Sequence, residues 1–416
     1  MKLKFAILTL FLLGSLPAFA ESYNDDIYVD NSDKQSYNIQ QTKSSLYPKF
    51  EGHVLAEYYI NSLIHNKDKV NSKDSRMNYY LNAEALLKLR FTEGFFLETK
   101  WQLNPVNDRL YTGDIYANNA GYIVGNSLNS DFYGRQNYVK RKFQTSSYGL
   151  GIETLNIGYK NSDLAVALGK INPTFGKAFD KSRFSGIYGT LMPEEYELTG
   201  KIGGYISAIL PVGTITLNTF FDDTTDLSRT MFNSLKKDKS KGGAGNTEKL
   251  NNFSLTYDGK FENLALNFGF RYLDVDFDAE EPEKGFVAGV EYLFELPYEV
   301  NFMPFVELAY FDNFDGMKSR NVGYFTTYLP IIIENWHFIF TNTTKYDHEN
   351  GYKNYTSYLT QLSLGYKFDF GLMFDVARVW ERYAKKADGF VNVGSGEKWL
   401  KHADSWAVMV SYSLNF

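Results

Sequence analysis

The last twelve residues, Ser405 to Phe416, alternate in character: Trp406, Val408, Val410, Tyr412, Leu414 and Phe416 are large and apolar, and the odd positions are small or polar apart from Met409. Period two is the pattern of a β-strand with one apolar face. With no polar tail after the final aromatic, that face must be covered by a core or by lipid. The same alternation starts at Lys49. In 78–91, Tyr79, Leu81, Ala83, Ala85, Leu87, Leu89 and Phe91 share a face against Tyr80, Asn82, Glu84, Lys88 and Arg90. A one-residue slip would turn Glu84, Lys88 and Arg90 to the apolar side, and in a membrane each would cost up to about 2–4 kcal/mol near the midplane.

Carried along the chain, the alternation predicts strands at 49–61, 77–91, 95–104, 149–160, 163–171, 197–210, 213–222, 252–261, 263–274, 285–296, 300–311, 321–332, 335–346, 355–369, 372–384 and 404–416, about 16 in all. The strand at 372–384 fits least well, because Arg378 and Arg382 share a face with Leu372, Phe374 and Val376. A bulge or an exit from the bilayer is expected there. Tight connections at 92–94, 161–162, 211–212, 262, 297–299, 334 and 370–371 take turns with long ones such as 105–148, 172–196, 223–251 and 385–403. A soluble two-sheet sandwich has no reason to do this. An all-β transmembrane barrel, antiparallel and up-and-down, with short periplasmic turns and long external loops does, and an even strand count leaves both chain ends on one side.

Residues 1–20 have a basic start, an apolar run over Phe5 to Leu13 and a small-residue end at Ala18-Phe19-Ala20, the features of a secretory signal. Residues 21–48 are polar and without period, and are read as a periplasmic extension before a barrel at 49–416, the alternative being a small plug. No stretch approaches the roughly 18 apolar residues of a membrane helix, so any crossing is made by strands. Aromatics make up 17% of the chain, enough for girdles at two membrane interfaces. There is no cysteine, which excludes disulfides and thiolate sites, and a net charge of −6 argues against nucleic acid. His53, His65, His337, His348 and His402 show no metal-binding spacing. A calcium loop counted from the acidic run at 274–281 would need Gly where Ala279 stands and Glu at its twelfth position, where Gly285 stands. His337 faces inward with no partner visible in the sequence. The reading is therefore non-enzymatic, with no cofactor and no metal.

The third long loop, Asn172 to Tyr196, is unlike the others, since Phe175, Phe179, Phe184, Ile187, Tyr188, Leu191 and Met192 make it apolar. Such a loop should fold into the barrel rather than stand in water. That would place Asp180, Glu194, Glu195 and Glu197 near inward cations. The alternation puts Lys88, Lys100, Lys201, Lys260, Arg271, Lys345 and Lys367 on the inner face, with Glu57, Glu84, Glu98, Asp258, Glu291 and Glu307. Lys100, Lys201 and Arg271 lie near mid-strand, at the height an infolded loop can reach. Opposed charges across a narrow pore would set up a transverse field that sorts ions.

The chain carries Gly169-Lys170-Ile171-Asn172-Pro173-Thr174-Phe175-Gly176-Lys177-Ala178-Phe179-Asp180, then Gly186-Ile187-Tyr188-Gly189, then Tyr196-Glu197-Leu198-Thr199-Gly200-Lys201-Ile202-Gly203. These runs resemble a group of proteobacterial porin-like outer-membrane proteins, with Phe179 in place of a Trp and Gly200 in place of an acidic residue. Phe416 is similar to the terminal assembly signal of such barrels. The resemblance implies a 16-stranded general porin in the outer membrane of a Gram-negative bacterium, among lipid and lipopolysaccharide. Its constriction would be built from Asp180, Lys181, Arg183, Glu194, Glu195, Glu197, Lys100, Lys170, Lys201 and Arg271. It implies passive diffusion of small hydrophilic solutes and ions, and a homotrimer latched by the loop at 105–148. The alternative is a substrate-selective channel in which Tyr59, Tyr80, Tyr205 and Phe220, or the aromatics of the third loop, stack on sugars.

Overall fold

A computed structural model describes residues 47–66, 77–105, 115–117, 123–125, 148–183, 192–231, 243–276, 280–349, 355–382 and 402–416. Sixteen antiparallel strands close into a barrel. They are β1 Lys49–Asn66, β2 Met77–Arg90, β3 Phe95–Pro105, β4 Tyr148–Lys160, β5 Leu164–Ile171, β6 Lys201–Leu210, β7 Gly213–Asp222 and β8 Asn252–Phe261. The second half comprises β9 Leu264–Leu273, β10 Glu283–Tyr292, β11 Phe305–Asp312, β12 Arg320–Ile333, β13 Trp336–Glu349, β14 Tyr355–Lys367, β15 Leu372–Arg382 and β16 His402–Asn415. Short segments at Phe294–Leu296 and Val300–Phe302 prolong the β10–β11 hairpin at the short-turn end. Each strand pairs with the next, and β16 returns to β1.

Closure is completed by the last residue: Gly52 and Phe416 exchange backbone hydrogen bonds of 2.8 and 2.9 Å, and the Phe416 ring lies 5.9 Å from that of Phe50. The period-two pattern then separates two surfaces. Leu97, Ile157, Leu168, Ile206, Leu217 and Leu255 are exposed on the outside, while Asn82, Glu84, Asn156, Asn218, Thr326 and Gln361 are buried on the inside. Aromatic pairs ring the outer surface, with Tyr292–Phe294 and Trp336–Tyr366 at the short-turn end and Phe253–Tyr272 nearer the loops. A barrel that is apolar outside and polar inside is built for lipid around it and water within.

Several strand ends shift from the sequence expectation, as where 49–61 extends to Asn66 and 300–311 begins at Phe305, and two differences bear on the site. The strand placed at 197–210 begins only at Lys201, because Gly200 turns with φ +61 and its N–H donates to Asn172 Oδ1 at 2.8 Å, tying the two ends of the third loop together. No bulge interrupts β15, whose register runs unbroken against β14 and β16. A bulge sits instead on β4, where Lys100 faces Thr154 and Trp101 faces Ile152, leaving Glu153 as the extra residue. The signal at 1–20 and nearly all of the extension at 21–48 lie outside the described residues, as do most of the loops at 105–148 and 385–403.

Leu217, near the middle of β7, is 45% exposed on the outer face. Leu217→Arg is expected to lower barrel stability by about 2–4 kcal/mol, measured by reversible urea unfolding in lipid vesicles. A change near zero would place β7 outside the hydrocarbon.

Candidate functional site

The third long loop leaves β5 after Ile171 and enters the barrel. It forms a short helix, α1 (Ala178–Arg183), then a 3-10 turn (Met192–Tyr196), before joining β6. Its apolar residues decide this course: Phe175, Met192, Tyr196 and Leu198 are buried in one cluster with the wall residues Phe311, Val322 and Tyr324 and with Phe314 of the β11–β12 connection. The Tyr196 ring packs at 5.0 Å from Tyr324 and 5.4 Å from Phe311. Ala178 of α1 joins Phe305, Tyr328 and Ile339 in a second cluster.

Both arms of the loop converge on one carboxylate. Glu307 of β11 accepts hydrogen bonds from the backbone N–H groups of Lys177 (2.7 Å) and Ala178 (3.2 Å), from Tyr196 Oη (2.8 Å) and from Asn267 Nδ2 (3.0 Å). Gly176, at φ +76, allows the backbone to turn there; a Cβ would lie 3.1 Å from Glu307 Oε1. Burial, and then the Glu307 carboxylate, raise the Tyr196 phenol well above its usual range. It therefore stays a donor at any physiological pH.

Arg271 forms the second clamp. It is 3% exposed, its guanidinium sits 4.8 Å from the Phe175 ring and 4.4 Å from the Phe311 ring, and it donates to Glu283 Oε1 and to the Tyr196 carbonyl. The sequence reading places Arg271 on the pore; the structure places it beneath the loop, covered by aromatics.

The other expected site residues are distributed as follows. Glu195 pairs with Lys345 and accepts from Tyr324 Oη at 2.6 Å, and Lys181 pairs with Glu291, so these tie loop to wall. Lys100 is held by Glu84 at 3.0 Å and Glu153 at 3.1 Å, and Lys201 pairs with Asp222. Lys170 is buried, 2.7 Å from Asp223 and 3.0 Å from the Leu227 carbonyl of the following long loop. Glu194 and Glu197 are half-buried on the returning arm, and Arg183 ends α1. Asp180 is exposed. Lys177 meets Asp258 at 3.4 Å, with side chains 40% and 31% exposed, which makes this pair far more open to solvent than Lys100 or Lys201. Burial pulls the Lys177 pKa down, but the Asp258, Asp180 and Glu307 carboxylates outweigh it and leave it above the usual lysine value. Lys177 is thus charged throughout the physiological range.

Several inward charges pair along the wall with the adjacent strand: Lys88 with Glu98, Lys100 with Glu84, Lys201 with Asp222, Arg271 with Glu283. Residues facing each other on neighbouring strands have Cβ atoms about 4.5–5.5 Å apart, much closer than the two sides of the lumen. The field across the pore is left to the loop.

Sequence reasoning missed Glu153, since simple alternation puts it outside and only the bulge turns it inward. It also missed Asp222 and Asp223, which lie where β7 ends. His337 does have a partner: its Nε2 is 2.6 Å from Asp375 Oδ1 across Gly365, where any Cβ would strike both side chains. The pair is buried, at 6% and 0% side-chain exposure. Phe220 and Tyr59, expected as stacking surfaces, are buried too, with the Tyr59 hydroxyl donating to Glu57. Tyr205 is half-buried, and the Tyr80 side chain lies outside the described residues.

No protein-family profile matches the chain, and no curated protein resembles it in sequence. Solved structures do. The outer-membrane-expressed OmpT of Vibrio cholerae superimposes with a TM-score of 0.51 at 10% identity, over 88% of this chain and 97% of that one. The in-vitro folded trimer form of the same protein gives 0.50 at 10% identity, over 88% and 99%. An engineered variant of the Rh. blastica porin reaches 0.45, too low to carry weight. The fold is that of an outer-membrane β-barrel.

Glu307→Ala leaves two backbone N–H groups, a phenol and an amide without their acceptor, at about 1–3 kcal/mol for each buried group. The third loop should then detach while the barrel survives, and trypsin should cut after Lys177 or Lys181 in the folded variant but not in the parent. A loop that stays uncut would show that the Arg271 clamp suffices.

Proposed function

We propose that this protein is an outer-membrane porin through which small hydrophilic solutes and ions diffuse passively, with the third loop as its constriction. The observation that carries the reading is the loop itself, clamped at Glu307 and Arg271 across a lumen lined by both signs of charge. The long loops face outward and the short turns face the periplasm, as export behind a signal at 1–20 and insertion from within require. Selectivity rests on the solvent-facing set Lys177, Asp180 and Asp258 more than on the paired Lys100, Lys201 and Arg271. The sugar-selective alternative loses ground because Tyr59 and Phe220 on the wall, and Phe175 and Tyr196 of the third loop, are buried. A homotrimer is the assembly we propose, supported by the trimer form of the Vibrio cholerae OmpT barrel.

In planar bilayers, single channels should open in large, nearly ohmic steps, grouped in threes if the assembly is a trimer. Lys177→Glu should move the reversal potential in a salt gradient toward cation preference, whereas Lys201→Gln should move it little. Absent steps from a folded barrel would sink the open-pore reading, and a larger effect at Lys201 would place the constriction elsewhere.

A further inference from the structure

On the loop side β5, β6 and β7 end at one level, where Ile171 faces Lys201 and Lys201 faces Asp222. β4 rises above them. Its pairing with β5 stops at Leu155 and Lys170, while its pairing with β3 continues up to Tyr148 and Pro105. Among the described residues, the β5 side of β4 over 148–154 therefore meets no strand, because the third loop has turned into the barrel there. An open edge leaves backbone groups in need of partners. The start of the fourth long loop supplies them. From Asp222 the chain runs back across the ends of β6 and β5, roughly 14 Å at the usual strand spacing. Met231 then exchanges backbone hydrogen bonds of 2.8 and 3.3 Å with Leu150 of β4.

Two lysines bracket the third loop, Lys170 just before it and Lys201 just after, and consecutive aspartates at the root of this strap take one each. Lys201 pairs with Asp222, and Lys170 Nζ lies 2.7 Å from Asp223 Oδ2 and 3.0 Å from the Leu227 carbonyl. Leu168, two residues earlier on β5, is 68% exposed on the outer face, so alternation turns Lys170 outward too. Yet Lys170 is only 5% exposed, with the strap against it. The other Asp223 oxygen accepts from the N–H (2.9 Å) and the hydroxyl (2.6 Å) of Thr225, in the turn of the strap. One carboxylate thus joins the strap to the root of the third loop. Asn172 accepts from the Gly200 N–H at the opposite root, so the two roots move together.

We propose that Asp222–Met231 is a strap that sets the position of the third loop, with Lys170 and Asp223 as its positioning pair. The proposal rests on the reading of that loop as the constriction. A pair shielded from solvent is little screened by salt, so the strap holds the root across physiological ionic strength. Leu227 and Met231 of the strap are 37% and 49% exposed. A disturbance of the strap therefore reaches the constriction without entering the lumen.

The test uses the full-length protein in detergent micelles, checked for folding by its heat-modifiable migration. Hydrogen exchange read by mass spectrometry follows the third-loop amides over 175–183, and planar bilayers give the open-channel current noise. Lys170→Met should speed exchange of that segment about tenfold, the size expected when a hydrogen bond to a charged group is lost, and should raise the noise. Lys170→Arg should restore both in part. Lys88→Met, which removes a wall pair toward the short-turn end, should change neither. Exchange in Lys170→Met equal to the parent's overturns the proposal, as does an equal rise in Lys88→Met, the sign of a general loss of stability. Faster exchange confined to 223–231 overturns it too, since the strap would then only seal the wall. If Lys170→Met does not fold, Met231→Pro decides: it deletes the N–H donated to Leu150 at the exposed end of the strap and should loosen the third loop likewise. Conductance separates the two readings. A silent barrel whose third loop loosens in Lys170→Met keeps the strap and loses the pore, and a conducting parent matched by Lys170→Met keeps the pore and loses the strap.

Discussion

Everything in this molecule follows from the requirement that no backbone N–H or C=O be left unpaired in lipid. A helix meets it alone; a sheet meets it only by closing on itself. Here closure falls to β1 and β16, which pair from His53 with Asn415 up to Asn66 with Ala403. The chain's last residue adds two further bonds to Gly52. Once the sheet is closed it has an inside and an outside, and alternation assigns every strand residue to one of them. The terminal aromatic is therefore part of the seam, packed on Phe50, and not a loose end.

Closure also dictates how the lumen handles charge. Neighbouring strands bring their inward side chains into contact, so a lysine meets the carboxylate beside it before it can act on anything across the channel. Lys88, Lys100 and Lys201 are each satisfied in this way. A wall built so is polar and wettable but close to neutral locally, and an asymmetric field needs an element that leaves the wall. The third loop is that element. It depends on Glu307 gathering four neutral donors, two of them backbone groups that would otherwise be orphaned by the turn at Gly176.

The strands were legible because period two is enforced by the cost of placing a charge in lipid, and that cost applies to every strand separately. The loop's inward fold was legible because Phe175, Met192 and Tyr196 have no place in water. What sequence could not give was partnership. Glu153 reaches Lys100 through a bulge that breaks the parity rule, and Asp375 reaches His337 across Gly365 from two strands away. Arg271 has the right parity and height for a pore residue, yet Phe175 and Tyr196 descend on it and turn it into a clamp. Parity gives a residue its side, while packing decides what it does there.

Arg271 and Arg378 show the same physics on the two faces. Each guanidinium is flanked by two aromatic rings at the distances of a cation–π contact. Inside, the barrel supplies the anion itself, in Glu283, and the Tyr196 carbonyl completes the shell. Outside, the rings of Trp380 and Trp406 hold Arg378 at the level where the apolar face gives way to Asn342 and Thr360, so the same cation–aromatic packing serves a loop clamp on one face and the border of the apolar band on the other.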